Sequence, residues 1–210
     1  MFPLSSVLFP GAPLSLHVFE PRYRQLVADV MTTDREFGVV LIARGSEVGG
    51  GDQRHSTGTI ATIEALSEIE GGQFALLARG MQRLEVRQWL DDDPYPRAAV
   101  ERVPEDLGVA TPQHLERALS SLRHARALLS ELHDTPPLPV DVRMSARSPE
   151  ELFETQWKLC MLTPFDAFDR QKLLEAGSVS ARLLLVTSLC DELAGDVATI
   201  LARGERGEDL

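Results

Sequence analysis

The chain has 210 residues and a mass of 23.2 kDa, enough for one large domain or two small ones. Hydrophobic residues make up 43% and charged residues 25%, a balance that excludes disordered and fibrous classes. The net charge of −11 is spread over both halves, and an even negative field repels phosphate backbones and argues against general nucleic-acid binding.

The first half reads as short strands separated by turns. Residues 14–18 (Leu-Ser-Leu-His-Val) alternate apolar and polar, the period of a strand. Glu20-Pro21 opens a helix, proline being tolerated in a first turn, and Tyr23, Leu26, Val27 and Val30 mark its buried side. Residues 37–43 form a continuous apolar run, predicted as a strand buried on both faces. Residues 45–58 are rich in glycine and predict a mobile loop. Residues 59–66 alternate again, and Gly71-Gly72 predicts a hairpin turn into a strand over 74–78. Gly80 is expected to separate that strand from another over 82–90. The run Asp91-Asp92-Asp93-Pro94 ends it, and residues 95–103 make the last strand. Six short strands and one helix predict a small antiparallel barrel, closed or half-closed.

The second half reads as helices. Thr111-Pro112 is a cap followed by proline at the first helical position, and Leu115, Leu119, Leu122, Ala125, Leu129 and Leu132 share one face. Residues 133–147, with three prolines, read as a linker. Ser148-Pro149-Glu150-Glu151 has the form of a capping box. Thr163-Pro164-Phe165-Asp166 starts another helix and Gly177 stops it. Ser178 caps the last helix, with Val186, Leu189, Leu193, Val197 and Ile200 as its expected stripe. Each stripe must be covered, and four helices can cover one another.

No catalytic constellation emerges. The only lysines are Lys158 and Lys172, preceded by Trp157 and Gln171, so the Gly-Lys pair of a phosphate-binding loop is missing. There is no GxSxG elbow, and Glu154, four residues before Lys158, predicts a surface ion pair rather than an activated amine. The five histidines (17, 55, 114, 124 and 133) lack metal-ligand spacing; His17 reads as an exposed or satisfied structural histidine and His55 as solvated. The three aspartates at 91–93 read as a solvated turn. Cys160 and Cys190 lie in apolar helical patterns and predict buried free thiols, in keeping with a reduced, cytoplasmic setting. The N-terminus has no signal-peptide pattern, and the longest apolar stretch, residues 183–190, is far short of the ~20 residues of a membrane span.

The N-terminal run is the most distinctive: Phe2-Pro3-Leu4, Val7-Leu8-Phe9-Pro10-Gly11, then Leu14-Ser15-Leu16-His17-Val18-Phe19-Glu20-Pro21-Arg22-Tyr23. It is followed in order by Phe37-Gly38-Val39-Val40-Leu41-Ile42, Gly58-Thr59-Ile60-Ala61, Ala78-Arg79-Gly80-Met81-Gln82-Arg83-Leu84, Tyr95-Pro96-Arg97-Ala98, Gln171-Lys172-Leu173-Leu174-Glu175 and Arg182-Leu183-Leu184. This series resembles the Lon protease N-terminal, substrate-binding domain family over nearly the whole chain. The resemblance implies an α+β fold: a β-rich, PUA-like pseudo-barrel with one helix over residues 1–107, then a helical bundle over residues 108–210. A complete Lon protease continues into ATPase and Ser–Lys peptidase modules, so the resemblance implies a stand-alone, non-catalytic version of the domain, with no cofactor and no metal.

It also implies a partner: unfolded or misfolded polypeptide, bound as by an adaptor or holdase, with a separate protease as a further partner. Nucleic acid and membrane are not expected, and the oligomeric state stays open. Polypeptide-binding candidates are Phe9, Pro10, Phe19, Tyr23, Trp89 and Tyr95, each of which could instead fill the core; Phe9-Pro10-Gly11 could also set a turn between strands. A second reading is a small-ligand or nucleic-acid-binding PUA-like domain, marked by Arg22, Arg24, Arg79, Arg83 or Arg87 around a cleft. A third is an enzyme with a deep polar pocket at the junction of the two halves.

Overall fold

The computed structural model describes residues 1–45, 53–133, 144–146 and 148–205. Its elements are β1 (Phe2–Leu4), β2 (Pro13–Val18), α1 (Pro21–Met31), β3 (Glu36–Arg44), β4 (Gln53–Ile69), β5 (Gln73–Leu90), β6 (Arg97–Arg102), α2 (Pro112–His133), α3 (Pro149–Met161), α4 (Ala167–Glu175) and α5 (Val179–Glu205). The chain divides into two compact units, Met1–Pro104 with Asp166–Glu175, and Glu105–Phe165 with Ala176–Leu210.

In the first unit the sheet runs β1-β3-β4-β5-β2, with β6 also on β5. All pairs are antiparallel except β1 with β3, which is parallel. β1 has only three residues with Pro3 among them, too little for a period-2 pattern to register. Gly80 does not separate two strands. β5 continues through it, because the segment before β2 crosses there: Gly11 N–H donates to the Gly80 carbonyl (2.7 Å) and Gly80 N–H to the Ala12 carbonyl (2.9 Å). Gly11, at φ 82°, follows Pro10, and Ala12 N–H closes on the Phe9 carbonyl at 3.0 Å. Proline second and a left-handed glycine third is the sequence of a type II turn, and the paired bonds to Gly80 make it a bulge led by that glycine.

β4 and β5 meet at Glu70–Gly72, where Gly71 and Gly72 take φ 77° and 67°, values that glycine tolerates without cost from a Cβ. Residues 46–52 of the expected loop at 45–58 lie outside the described residues; its tail, 53–58, is already β4, with Arg54 opposite Ile42 and Gly58 opposite Val40. The core of the strands includes the cluster Val40, Ile60, Leu84 and Val86, and α1 buries Tyr23, Leu26 and Val27, with the Tyr23 ring stacked on Phe2 of β1. β3 is buried on both faces from Val39 to Leu41.

α4 belongs to this first unit, whereas its sequence suggests a member of a four-helix bundle. Polar groups fix it to the strands. The buried Arg83 donates to the Leu174 carbonyl (3.2 Å), Gln171 to the Thr57 carbonyl (3.0 Å), and His55 Nδ1 lies 3.1 Å from Glu175 Oε1. His55 is thus engaged rather than solvated. These are contacts of polar residues, which an apolar-periodicity reading passes over. Asp166 caps α4 by accepting from Asp169 N–H (2.9 Å).

In the second unit α2, α3 and α5 bury Leu115, Leu119, Leu122 and Ala125, then Leu152, Leu159 and Cys160, then Leu183, Val186, Cys190 and Val197. Cys160 and Cys190 are both free and buried. Ser148 Oγ accepts from Glu151 N–H (3.2 Å) and Ser178 Oγ from Ala181 N–H (3.2 Å), each satisfying a first-turn donor of its helix. The stripe of α5 matches the expected one in part: Val186 and Val197 are buried and Leu189 and Leu193 half-buried, but Ile200 is exposed, and Val179, Leu183, Cys190 and Ala194 carry the rest of the buried face. Arg182 is fully buried. Its guanidinium lies 3.9 Å from the centre of the Trp157 ring and donates to Gln156 Oε1 (2.5 Å), Glu105 Oε2 (3.1 Å) and the Ala176 carbonyl (2.8 Å). A charge out of water requires such partners. The linker at 133–147 lies largely outside the described residues.

Candidate functional site

β1 and β2, the two ends of the sheet path, line one open cleft of about 80 Å³. Phe2 and Leu4 come from β1, Leu16 and Val18 from β2, and Tyr23 from α1. The Phe2 and Tyr23 rings stack at 4.1 Å and 14°, and the Arg22 guanidinium sits 4.5 Å from the Tyr23 ring centre. Phe19, just past β2, is 49% exposed at the rim. Its ring lies 5.9 Å from that of His17, whose Nε2 meets Gln73 Oε1 at 2.7 Å. Among the described lining residues Glu20 is the only carboxylate, and Arg22 Nε donates to it at 3.1 Å. The walls are therefore apolar, with an exposed aromatic at the lip.

Of the candidate anchors, Phe19 and Tyr23 meet in this cleft. Tyr23 is a buried wall, not a protruding side chain. Phe9 is fully buried under the Arg170 guanidinium (4.8 Å), and Pro10 is buried in the turn beside it. Trp89 is half-buried against the Val40–Ile60–Leu84–Val86 cluster, with Arg54 at 4.9 Å from its ring. Tyr95 is half-buried and its hydroxyl donates to Asp29 Oδ2 (2.7 Å); burial first, then the Asp29 carboxylate, hold its phenol above the usual value. Phe2, Leu4, Leu16 and Val18 also line the cleft, although nothing in their individual patterns marks them as anchors. Their sequence mark is a shared one: residues 1–19 contain no Asp, Glu, Lys or Arg, in a chain one quarter charged.

None of the arginines expected of a phosphate or nucleic-acid reader, Arg22, Arg24, Arg79, Arg83 or Arg87, lines this cleft. Arg22 holds Glu20, Arg79 holds Glu64 (2.5 Å), Arg87 holds Glu101 (2.6 Å) and Arg83 is buried on α4. Asp92, in the acidic turn, takes a bidentate bond from Arg54 (2.8 and 3.2 Å). Among the described residues no three His, Cys, Asp or Glu side chains gather as a metal would require. A second hollow of about 230 Å³ has Phe37, Ile60, Leu84 and Val100 in its walls and the Arg102–Glu36 ion pair (2.5 Å) at its margin. Its apolar walls are mostly the core itself. No helix among the described residues is long and apolar enough to cross a membrane.

The comparisons with known proteins converge on one family. The family model of the ATP-dependent protease La (LON) substrate-binding domain matches residues 1–192. The chain is 28% identical over 188 residues to Lon protease 2 of Sorangium cellulosum, covering 88% of this chain and 23% of that protein. It thus spans about a quarter of the length of the curated Lon relatives it matches. The crystal structure of a Lon N-terminal domain protein from Xanthomonas campestris superposes with a TM-score of 0.64 at 28% identity, covering 89% of this chain and 95% of that one. The N-terminal domain of the Mycobacterium avium complex Lon protease shares the fold, with a TM-score of 0.56 at 17% identity over 92% and 97% of the two chains. The α+β architecture, the ordered N-terminal motifs and the match along nine-tenths of its length place this chain in the Lon substrate-binding domain family.

Proposed function

We propose that the chain is a non-catalytic polypeptide-binding module, an adaptor or holdase that captures unfolded segments in the cleft between β1 and β2. The observation that carries this reading is the pairing of an apolar, nearly uncharged cleft with an exposed aromatic, Phe19, at its rim. Exposed apolar concavity rimmed by polar groups is the surface that binds other chains. The family's description as substrate-binding supports the same reading. A separate protease and a cytoplasmic location complete the proposal.

The test is an anisotropy titration of fluorescein-labelled, reduced and carboxymethylated lactalbumin, which stays unfolded, with native lactalbumin as control. Micromolar or tighter binding of the unfolded form alone supports the reading. Equal binding of both forms, or of neither, overturns it.

A further inference from the structure

β2 has one edge on β5, and its other edge has no strand partner among the described residues. Exposed strand edges are templates for pairing, and natural proteins blunt them with charges, bulges or cover. β6, which pairs only with β5, carries Arg97, Glu101 and Arg102. β2 carries no formal charge, nor does any side chain before Glu20. Its bulge and its proline lie at its start, around Gly11 and Pro13, and leave residues 14–18 regular.

The register says which backbone groups are available. Gly80 exchanges bonds with Gly11 and Ala12, and bonded positions recur every second residue along an antiparallel ladder. Leu14, Leu16 and Val18, opposite Ala78, Leu76 and Phe74, therefore bond β5. Pro13, Ser15 and His17 turn their backbone to the open edge, so Pro13 forfeits no ladder bond, as expected of an edge proline.

We infer that β2 takes up a short extended segment of a client polypeptide as an added strand, its backbone bonded to Ser15 and His17 and its alternate apolar side chains seated in the neighbouring cleft. This rests on the polypeptide-binding reading and specifies its mode. The occupant follows from size and charge. Strand addition draws affinity from the main chain and selects side chains at alternate positions. Six residues of β2 match a segment of about six residues, roughly 20 Å. The cleft, at about 80 Å³, is well below the ~300–1,000 Å³ of small-ligand pockets and suits side chains of an extended segment. It offers far fewer residues than the ~20–30 per side of a stable interface between folded proteins. The uncharged edge favours an uncharged segment, since a carboxylate or ammonium docked there would be desolvated without a partner.

The experiment uses an eight-residue fluorescent peptide alternating threonine with leucine or phenylalanine, and two N-methylated forms. In one the threonine amides are methylated, in the other the leucine and phenylalanine amides. Strand addition presents alternate amides to β2, so one form loses at least ten-fold in affinity and the other stays within about three-fold of the parent. Ser15→Pro removes one open-edge donor; it leaves the thermal midpoint within a few degrees and lowers parent-peptide affinity at least ten-fold. Both methylated forms binding like the parent, or weakening equally, overturns strand addition while leaving polypeptide binding standing. No binding of the parent peptide counts against both readings. A Ser15-dependent dimer in light scattering also overturns the inference, since a second copy would then fill the edge.

Discussion

The carbonyl of Phe9 lies so close to the Cα of Gly80 that a methyl group on Gly80 would collide with it. This contact lets the turn before β2 cross β5, and it sets the register that turns Ser15 and His17 to the open edge. It also explains why a glycine stands in the middle of an 18-residue strand, since a glycine in a strand interior often marks a close backbone approach.

Gly80→Ala is therefore expected to destabilise the protein by about 1–3 kcal/mol, the usual range for forcing extra volume into a packed site. A methyl group on Gly177 would meet no atom within 4 Å, and Gly177→Ala should be neutral or stabilising by up to ~1 kcal/mol through the unfolded chain. Urea unfolding of both variants checks the contrast.

Arg182 is the polar centre of the second unit. Arg182→Ala removes the cationic partner of Glu105, which still accepts from Gln156 Nε2; it also takes a donor from the Gln156 side-chain carbonyl and lifts the guanidinium off the Trp157 face. Removing one partner of a buried ion pair costs about 3–5 kcal/mol. Because Glu105 keeps partial contact with solvent, the lower end, about 3 kcal/mol, is expected. Denaturant unfolding of the variant would read it as a shifted midpoint at constant slope.

Cys190 is a second buried group of that unit. Burial, with a smaller contribution from Asp191, pushes its thiol from 9.0 up to about 12. The thiolate is the reactive form, so a maleimide or disulfide reagent at about pH 8 should leave Cys190 unmodified in the folded protein and label it on unfolding in urea. The sign for stability follows. The folded state holds this proton more tightly, so the contribution is complete below about pH 9 and is lost as pH rises toward 12. Mass spectrometry of protein labelled with and without urea gives the answer; rapid labelling of Cys190 in the native state would contradict the packing of α5.

Much of this was legible in the sequence. Proline and glycine marked the Phe9-Pro10-Gly11 turn, Ser148 and Ser178 marked their helices, and the continuous run at 37–43 marked the strand that is buried on both faces from Val39 to Leu41. Three things were not legible. α4 reads as a bundle helix because its ties to the strands are polar and long-range, through Gln171, Glu175 and the buried Arg83. The buried start of α5 was missed because Arg182 is buried beside Leu183, and a pattern reading assigns arginine to the outside. The cleft was only half visible, since Phe19 and Tyr23 stand out as aromatics whereas Leu16 and Leu4 become wall residues only when the two ends of the sheet path meet. The missing charge over residues 1–19 was the available clue.

Phe19 separates binding from folding. At 49% exposure its truncation should leave stability within about ±0.5 kcal/mol, as for most surface positions. As an aromatic at the cleft rim it should matter to affinity, and loss of such an anchor commonly costs at least ~1–2 kcal/mol, or about five- to thirty-fold. Phe19→Ser assayed by anisotropy and by thermal melting tests both halves.

A charge placed inside the cleft tests the binding assignment most directly. Leu16→Glu sets a carboxylate among Phe2, Val18 and Tyr23 on a half-buried edge position. Titrated with unfolded, carboxymethylated lactalbumin beside the parent protein, and with folding verified by circular dichroism, it should bind at least ten-fold more weakly. Unchanged affinity in a folded Leu16→Glu protein would mean that polypeptide, if bound at all, is held elsewhere, and would contradict the assignment of the β1–β2 cleft.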